Sequence, residues 1–297
     1  RDRVLAETFP PGIDSLDVVS VYIAAFRPSD LLFQMFVMSA ISVAFVPLLA
    51  SHLAHGREEE MNRLTSSVLL VFNITFGLIA LLLALLLPLI APFLVQFQGE
   101  SLELYIRFAR IGCLTNLLFV TGNIFGHVLI TRQTYLTYGL TPILYTIGTI
   151  IGTLTIAGPY GPMIGTVGGT VVLLVLRLSA VLKTGYKFSI LHSPFSISKF
   201  LHPELRQMGF MMIPRILALG AVQVQLLLFD TLASGLGLGS VTVNAYPPNF
   251  QSVAVGVIGI ALAQAVFSPL SQAHAKGEDA RFTRLLRKGG GLTLVSS

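Results

Sequence analysis

The chain has 297 residues, of which 11% are charged, 54% are hydrophobic and one is a cysteine. Soluble domains carry about 25% charged residues, so this composition indicates an integral membrane protein and argues against a soluble enzyme or a disulfide-stabilised domain. The net charge of +5 is interpreted through membrane topology and not as affinity for nucleic acid.

Long uncharged runs predict helical spans in chain order, because about 20 apolar residues cross a bilayer. Residues 1–9 resemble the end of a helix, and a Pro-Pro-Gly sequence ends it. The next span covers 16–53; Asp17 is interpreted as its cap or as an interfacial group, and Pro28 predicts a kink at Arg27. Further spans are predicted at 64–95, 102–130, 135–156, 162–182, 203–233 and 241–275. The predicted fold class is all-α, a polytopic transmembrane helix bundle.

Two stretches of the chain, 24–56 and 245–277, resemble each other. Each opens with alanine, an aromatic residue and a proline-containing turn, then runs through apolar residues to Phe-x-Pro-Leu, a histidine and a glycine. The offset between Phe45 and Phe267 is 222 residues, far longer than a solenoid repeat. The repeat predicts two homologous lobes, an N-terminal lobe in 1–200 and the start of a C-terminal lobe in 201–297.

Basic residues predict the orientation, because lysine and arginine accumulate in cytoplasmic loops. Alternate connections contain none: 10–15, 96–101, 157–161 and 234–240. The other connections and their flanks hold 13 of the 19 basic residues, namely Arg57, Arg63, Arg132, Arg177, Lys183, Lys187, Lys199, Arg206, Lys276, Arg281, Arg284, Arg287 and Lys288. These basic connections are predicted to face the cytoplasm.

Charges within the spans are not explained by topology, and intramembrane ionisable groups indicate functional sites. Arg27 and Asp30 either pair with each other or line a polar cavity. Arg110 either reaches the outer interface by snorkelling or faces that cavity. Arg215 lies about a dozen residues into its span, too deep for easy snorkelling, and is predicted to face a cavity or to pair with Asp230 or Asp30.

Enzyme signatures are missing from the sequence. It contains no glycine-rich phosphate loop, no H-E-x-x-H, no G-x-S-x-G and no acidic cluster that would hold Mg²⁺. No catalytic residue, metal site or cofactor is therefore predicted. Repeated lobes with charges inside the membrane are typical of secondary transporters, whose substrate site lies between the repeats.

Several motifs occur in one order along the chain. They are A-A-F-R-x-x-D-L-L-F (24–33), A-F-V-P (44–47), P-R-I-L (214–217), D-T-L-A-S (230–234) and N-A-Y-x-x-N-F-Q (244–251). With these motifs the sequence resembles the MurJ/MviN family of bacterial lipid II flippases, in the multidrug/oligosaccharidyl-lipid/polysaccharide exporter superfamily. The resemblance covers essentially the whole chain.

The resemblance implies a fold and a function. Family members have fourteen helices in lobes of six plus a final pair, so this chain is expected to begin late in the first helix and to end early in the ninth. The implied activity moves lipid II, an undecaprenyl-pyrophosphate-linked muropeptide, from the inner to the outer leaflet by alternating access. The implied setting is the bacterial cytoplasmic membrane, with membrane lipids and possibly a coupling ion as partners and no nucleic acid.

The resemblance also implies site residues, because a cationic cavity in the family engages the pyrophosphate, and arginine donates two aligned hydrogen bonds to phosphate oxygens. Asn249 stands where the family commonly has an arginine, and Phe33 and Gln34 stand where many members have two. Other arginines are hypothesised to compensate. The predicted substrate-binding residues are Arg1, Asp2, Arg27, Asp30, Arg110, Arg215 and Asn249. Asp230 resembles the family's coupling-ion region and is the candidate for ion coupling.

Two alternatives remain open at the level of sequence. The protein is either an exporter of another polyprenyl-linked glycan or of a drug, or a membrane subunit or fragment that does not itself transport. Binding of lipid II compared with other undecaprenyl carriers would separate the first alternative from a lipid II flippase.

Overall fold

A computed structural model describes residues 1–10, 16–132, 134, 136, 139–187, 203–254 and 283–287. Within these ranges the long elements are helical. The helices, which we number in chain order, are α1 (Asp2–Thr8), α2 (Val18–Leu32), α3 (Val46–Ala54), α4 (Glu58–Leu94), α5 (Gly99–Thr131), α6 (Thr141–Thr155), α7 (Gly161–Lys183), α8 (Glu204–Ser234) and α9 (Ser240–Ala254). Two π-helical segments, Phe33–Met38 and Ile41–Phe45, join α2 to α3. The all-α prediction is confirmed.

Four of these helices are long and apolar enough to span a membrane: α4, α5, α7 and α8. α6 is shorter but also apolar. Their bounds agree with the predicted spans except at two starts: α4 begins at Glu58, six residues before its predicted start, and α6 begins at Thr141, six residues after its own. Three acidic residues, Glu58 to Glu60, occupy its first turn, where the partial positive charge of the helix N-terminus stabilises carboxylates. Of the span predicted at 241–275, the structure describes residues 241–254, and these belong to α9.

The helix through Pro28 does not end at the proline, and the kink expected at Arg27 stays a prediction. α2 continues past Pro28 to Leu32, since neighbouring groups in membrane helices can satisfy the carbonyl that proline leaves without a donor. The irregular backbone begins later, in the two π-helical segments. Between them, the Ser39 hydroxyl donates a hydrogen bond to the Met35 carbonyl. The departure from α-helical geometry therefore lies about one and a half turns beyond the proline.

Chain contacts divide the structure into two compact units, residues 1–241 and residues 242–297. The first unit contains α1 to α8 and two apolar clusters. One cluster joins the π-helical segments to α3, α4 and α5; the other joins α1, α2, the end of α4 and the start of α5. In the second unit the described residues are those of α9 from Thr242 onward, which include Pro247 and Pro248, and the helical residues 283–287. The lobe boundary near 200 stays a prediction.

α6 and α7 form a closely packed hairpin because glycines face each other across it. Gly148 and Gly152 on α6 meet Gly165 and Gly169 on α7, and a Cβ built on Gly148 would lie 2.6 Å from the Gly165 carbonyl oxygen. Both helices thus carry the G-x-x-x-G spacing that lets membrane helices approach backbone to backbone. On α7, the Thr166 hydroxyl lies 2.8 Å from the Thr149 hydroxyl of α6 and 2.8 Å from the Tyr22 hydroxyl of α2.

Replacing Gly165 with alanine should destabilise the hairpin, because the new methyl group would collide with the Gly148 carbonyl oxygen. We expect a loss of about 1–3 kcal/mol, the usual cost of overpacking, seen as a lower thermal unfolding midpoint in detergent. Gly168→Ala is the matched control, since a Cβ there meets nothing within 4 Å. Equal midpoints for the two variants would contradict the packing described.

Candidate functional site

An ion pair joins α2 to α8 inside the helix bundle. Arg27 Nε lies 2.6 Å from Asp230 Oδ2, and the Asp230 side chain is only 2% exposed. The two residues are 203 positions apart in the sequence, so the pair links the predicted N-terminal lobe to the first helix of the predicted C-terminal lobe. At low effective dielectric such a contact is far stronger than in water. The sequence analysis named both residues as candidates. It considered a pair of Arg27 with Asp30 and a pair of Asp230 with Arg215, but not a pair of Arg27 with Asp230.

Hydrogen bonds surround this pair at the same end of α8. The Thr231 hydroxyl lies 2.5 Å from the Leu94 carbonyl oxygen, the last residue of α4. The Gln96 backbone N–H donates to the Ser234 hydroxyl at 2.8 Å. The first bond satisfies a carbonyl at the end of α4 that has no partner within its own helix. We call these contacts, together with Arg27–Asp230, the Asp230 cluster.

Asp17 completes the Asp230 cluster and has two functions. Its Oδ1 accepts the Ser20 backbone N–H at 3.2 Å and so caps the start of α2. Its Oδ2 accepts the Gly239 backbone N–H at 2.6 Å, in the turn that follows α8. The predicted capping function is confirmed. The bond to Gly239 was not foreseen, because no local pattern relates positions 222 residues apart.

The opposite end of α8 is held by a second polar contact. His52 Nε2 on α3 lies 3.0 Å from Glu204 Oε2 in the first turn of α8, and the histidine side chain is 5% exposed. Glu204 and Asp230 are separated by 26 residues of helix, about 39 Å at 1.5 Å per residue. α8 is therefore attached to the N-terminal elements at both ends.

Arg110 satisfies a carbonyl group that a proline leaves without its donor. Pro88 lies inside α4 and has no N–H for the Ala84 carbonyl, four residues earlier. Arg110 Nε donates to that Ala84 oxygen at 3.0 Å, while its side chain stays exposed. The structure thus places Arg110 away from Arg27.

Arg215 and Asp30 do not join the Arg27–Asp230 pair. Arg215 is exposed, and 15 residues of helix, about 22 Å, separate it from Asp230, so the predicted pairing of these two is wrong. Asp30 accepts a hydrogen bond from Asn116 Nδ2 at 2.8 Å. The predicted alternative of an Arg27–Asp30 pair is replaced by separate partners on α8 and α5.

The remaining predicted residues lie elsewhere. Arg1 Nε pairs with Asp2 Oδ1 at 2.7 Å at the start of α1, which packs against α6. Asn249 belongs to α9, but its side chain lies outside the described part of the structure. Arg1 and Asp30 both interact electrostatically with Tyr145, and Asp30 also interacts with Arg27, so part of the predicted set shares one neighbourhood. Its assignment to the substrate stays a prediction.

Within the described ranges, no three histidine, cysteine, aspartate or glutamate side chains are grouped in a way that could hold a metal ion. The site consists of ion pairs and hydrogen bonds that connect α8 to neighbouring helices near both of its ends. Such contacts can form and break without any bond-making chemistry.

The contact of His52 with Glu204 was missed by sequence reasoning. His52 was noted only for its place in the repeat, and Glu204 follows a charged connection that resembles an ordinary cytoplasmic loop. The acidic first turn of a span is a weak signal, since carboxylates are common at helix N-termini. Its partner is fixed by how α3 packs against α8, which the local sequence does not specify.

The two functions of Asp17 can be separated by substitution. Asp17→Ala removes both accepted bonds and should cost about 2–3 kcal/mol of stability, since a lost cap costs about 1 kcal/mol and a bond to a charged acceptor about 1.5–3. Asp17→Asn keeps one acceptor oxygen and should lose about half as much, measured by thermal unfolding in detergent. Thr155→Ala is the control, because that exposed hydroxyl bonds only within α6. If Asp17→Ala lowers the stability no more than Thr155→Ala does, the two functions assigned to Asp17 are contradicted.

The chain was compared with known proteins. The family model described as "Lipid II flippase MurJ" matches residues 15–297. The chain is similar to the lipid II flippase MurJ of Burkholderia cenocepacia, with 21% identity over 304 residues that cover 99% of this chain and 58% of that protein. It is also similar to the probable lipid II flippase MurJ of Buchnera aphidicola, with 24% identity over 305 residues that cover 100% of this chain and 58% of that protein.

Among solved structures, one described as lipid II flippase MurJ in an inward closed conformation superposes with a TM-score of 0.75. It has 21% sequence identity and covers 98% of this chain and 59% of the solved one, so the likeness establishes a shared fold. The chain spans about 58% of the length of the relatives named above. Because the family model matches nearly all of the sequence, the chain belongs to the MurJ family of lipid II flippases.

Proposed function

We propose that this protein moves lipid II from the inner to the outer leaflet of a bacterial cytoplasmic membrane by alternating access. The observation that carries the proposal is the match of the MurJ family model to residues 15–297. Support from the geometry comes from α8, the first helix of the predicted second lobe, which is attached to the first lobe near both of its ends. The protein acts as a transporter, and its residues bind and release without catalysing a reaction.

Alternating access requires that contacts on the two sides of the membrane open in turn. We assign the Asp230 cluster as the outer gate and the His52–Glu204 contact as the inner gate, following the orientation that the basic residues predict. Both gates are engaged in the described conformation. Opening the outer gate requires separating Arg27 from Asp230, two charges largely removed from water.

Asp230 is also our proposed site of ion coupling. Its Oδ2 accepts from Arg27 in the described conformation, so a cation that binds this carboxylate would displace the guanidinium. Binding of the ion would then offset the cost of breaking the Arg27–Asp230 pair in a membrane interior. By this mechanism a cation favours the state in which the outer gate is open.

The arginines are proposed to act on the pyrophosphate of the substrate. Arg27 is partly exposed, at 21% of its side chain, and becomes a free bidentate donor when Asp230 is released. Arg215 is exposed on α8, about 22 Å from Asp230 along the helix, and Arg1 is half-buried beside Asp2. These positions suit successive contacts along a path, and the contribution of Arg110 is expected to be smaller because it already bonds Ala84.

Transport should depend on the Arg27–Asp230 pair. Arg27→Ala and Asp230→Asn each break an ion pair whose aspartate is buried, and each should lower the flipping of fluorescent lipid II in proteoliposomes by at least tenfold. The exchanged variant Arg27→Asp/Asp230→Arg should recover part of the activity. Arg107→Ala is the control, since the Arg107 side chain is 61% exposed and its carboxylate contact is with Glu103 on its own helix.

Two results would separate the alternatives. Normal flipping by both Arg27→Ala and Asp230→Asn would contradict the assignment of this ion pair as the outer gate. Equal transport of lipid II and of an undecaprenyl carrier with an unrelated glycan would overturn lipid II as the specific substrate while leaving a polyprenyl-lipid exporter.

The orientation is testable with introduced cysteines, because the single native cysteine, Cys113, is buried. A membrane-impermeant thiol reagent added to intact spheroplasts should label Gln98→Cys. It should not label Arg57→Cys, which the basic loops place on the cytoplasmic side. Permeabilised cells should show labelling of both. Labelling of Arg57→Cys in intact cells would reverse the assignment of the two gates.

A further inference from the structure

Tyr105, near the start of α5, carries a buried hydroxyl that the contacts described so far do not explain. Its side chain is 0% exposed, and among the residues that the structure describes the hydroxyl has no hydrogen-bond partner. A buried hydroxyl that makes no hydrogen bond has lost its hydration without compensation, so it destabilises the conformation in which it stays unbonded. Such a group points to a second conformation in which it is bonded.

Tyr105 lies beside the Asp230 cluster. Its ring centre is 6.1 Å from that of Phe97, which directly follows Gln96, a member of the cluster. Tyr105 also shares an apolar cluster with Ala233, three residues after Asp230. The tyrosine interacts electrostatically with the Asp230 carboxylate. The unbonded donor is thus a neighbour of the carboxylate that forms the outer gate.

The Asp230 carboxylate is the acceptor that best suits this hydroxyl. Tyr105 also interacts electrostatically with Cys113, but a thiol accepts hydrogen bonds only weakly. A hydrogen bond to a carboxylate is about twice as strong as one between neutral groups. In the described conformation Arg27 Nε donates to Asp230 Oδ2 at 2.6 Å. Because an aspartate side chain has several staggered rotamers, the carboxylate can turn to another donor once the arginine leaves.

We propose that the Tyr105 hydroxyl donates to Asp230 while Arg27 leaves it, so that the carboxylate passes from one donor to the other before the outer gate opens. Tyr105 is then a positioning residue, because it frees Arg27 for the pyrophosphate without leaving the carboxylate unbonded in the membrane interior. A neutral donor suits this step, since it holds a carboxylate less firmly than a guanidinium does. The inference rests on the proposed function, which makes the Arg27–Asp230 pair a gate.

The test is a double-mutant cycle of thermal unfolding midpoints, measured in detergent on the purified full chain, and it does not depend on transport. Tyr105→Phe keeps the ring and should leave the midpoint of the wild type unchanged or raise it, since the removed hydroxyl is unbonded there. In an Arg27→Ala background the tyrosine can take over the carboxylate. There, Tyr105→Phe should lower the midpoint by about 2 °C or more.

Tyr186→Phe is the matched control. The Tyr186 hydroxyl is also buried and lies 2.8 Å from the Ser66 hydroxyl, so its removal should lower the midpoint equally in both backgrounds. An equal effect of Tyr105→Phe in the two backgrounds would overturn the proposal, and so would a lowered midpoint for Tyr105→Phe in the wild type. Arg27→Met replaces Arg27→Ala if the alanine variant does not fold, because methionine fills more of the space that the arginine occupies.

A second measurement connects the exchange of donors to transport. Tyr105→Phe should slow the flipping of lipid II about tenfold, the equivalent of one hydrogen bond to a charged group. Flipping at the wild-type rate would overturn the exchange as a step of the cycle. If the unfolding cycle shows coupling but the wild type flips no lipid II, the transport function fails and the contact between Tyr105 and Asp230 stands.

Discussion

The contact between Arg27 and Asp230 is a physical constraint on which much of this bundle depends. Two opposite charges in a medium of low dielectric attract strongly, but each also carries a large desolvation cost, so neither is stable there alone. Burial of Asp230 therefore ties α8 to α2 for as long as no other cation takes the place of the arginine. A helix fastened in this way is released by exchange of partners more readily than by simple separation, and that is a property a gate requires.

The hydrogen bonds around the pair follow from the ends of helices. Helix termini expose backbone groups that cannot stay unsatisfied in a membrane. α4 ends beside the end of α8, where the Thr231 hydroxyl donates to the Leu94 carbonyl and the Ser234 hydroxyl accepts the Gln96 N–H. Asp17 extends the arrangement by capping α2 and accepting the Gly239 N–H. At the inner end of α8, His52 and Glu204 lie 3.0 Å apart.

The first unit contains regions that are closely packed and regions that leave space between the helices. The glycine-faced hairpin of α6 and α7 packs backbone to backbone and leaves little room for adjustment. Arg110 stabilises the proline-containing part of α4 by bonding the carbonyl of Ala84. In contrast, the wall opposite the start of α8 is made of π-helical backbone, phenylalanines and a space beside Gly209. Rigid and adaptable regions are thus separated within the first unit.

Much of this protein was determined by the sequence alone. Low charge and long apolar runs specified membrane helices, because the bilayer demands about 20 apolar residues per span, and the helix bounds agree from α4 to α8 except at the starts of α4 and α6. Family motifs specified the MurJ family, which the family model confirms. Local chemistry also predicted the cap at Asp17, and the G-x-x-x-G spacing was readable at 148–152 and 165–169 although it was not used.

The tertiary structure decided which charges meet. Arg27, Asp30, Asp230 and Arg215 were all recognised as unusual, yet their partners depended on helix packing across 86 to 203 positions. Arg215 and Asp230 share a helix, and its rigid rise of 1.5 Å per residue keeps them apart. Pro28 was expected to kink its helix; α2 continues through it, and irregular backbone forms further on, at Phe33–Met38. Sequence pattern and composition report on neighbouring residues, whereas the Arg27–Asp230 contact joins residues that only folding brings together.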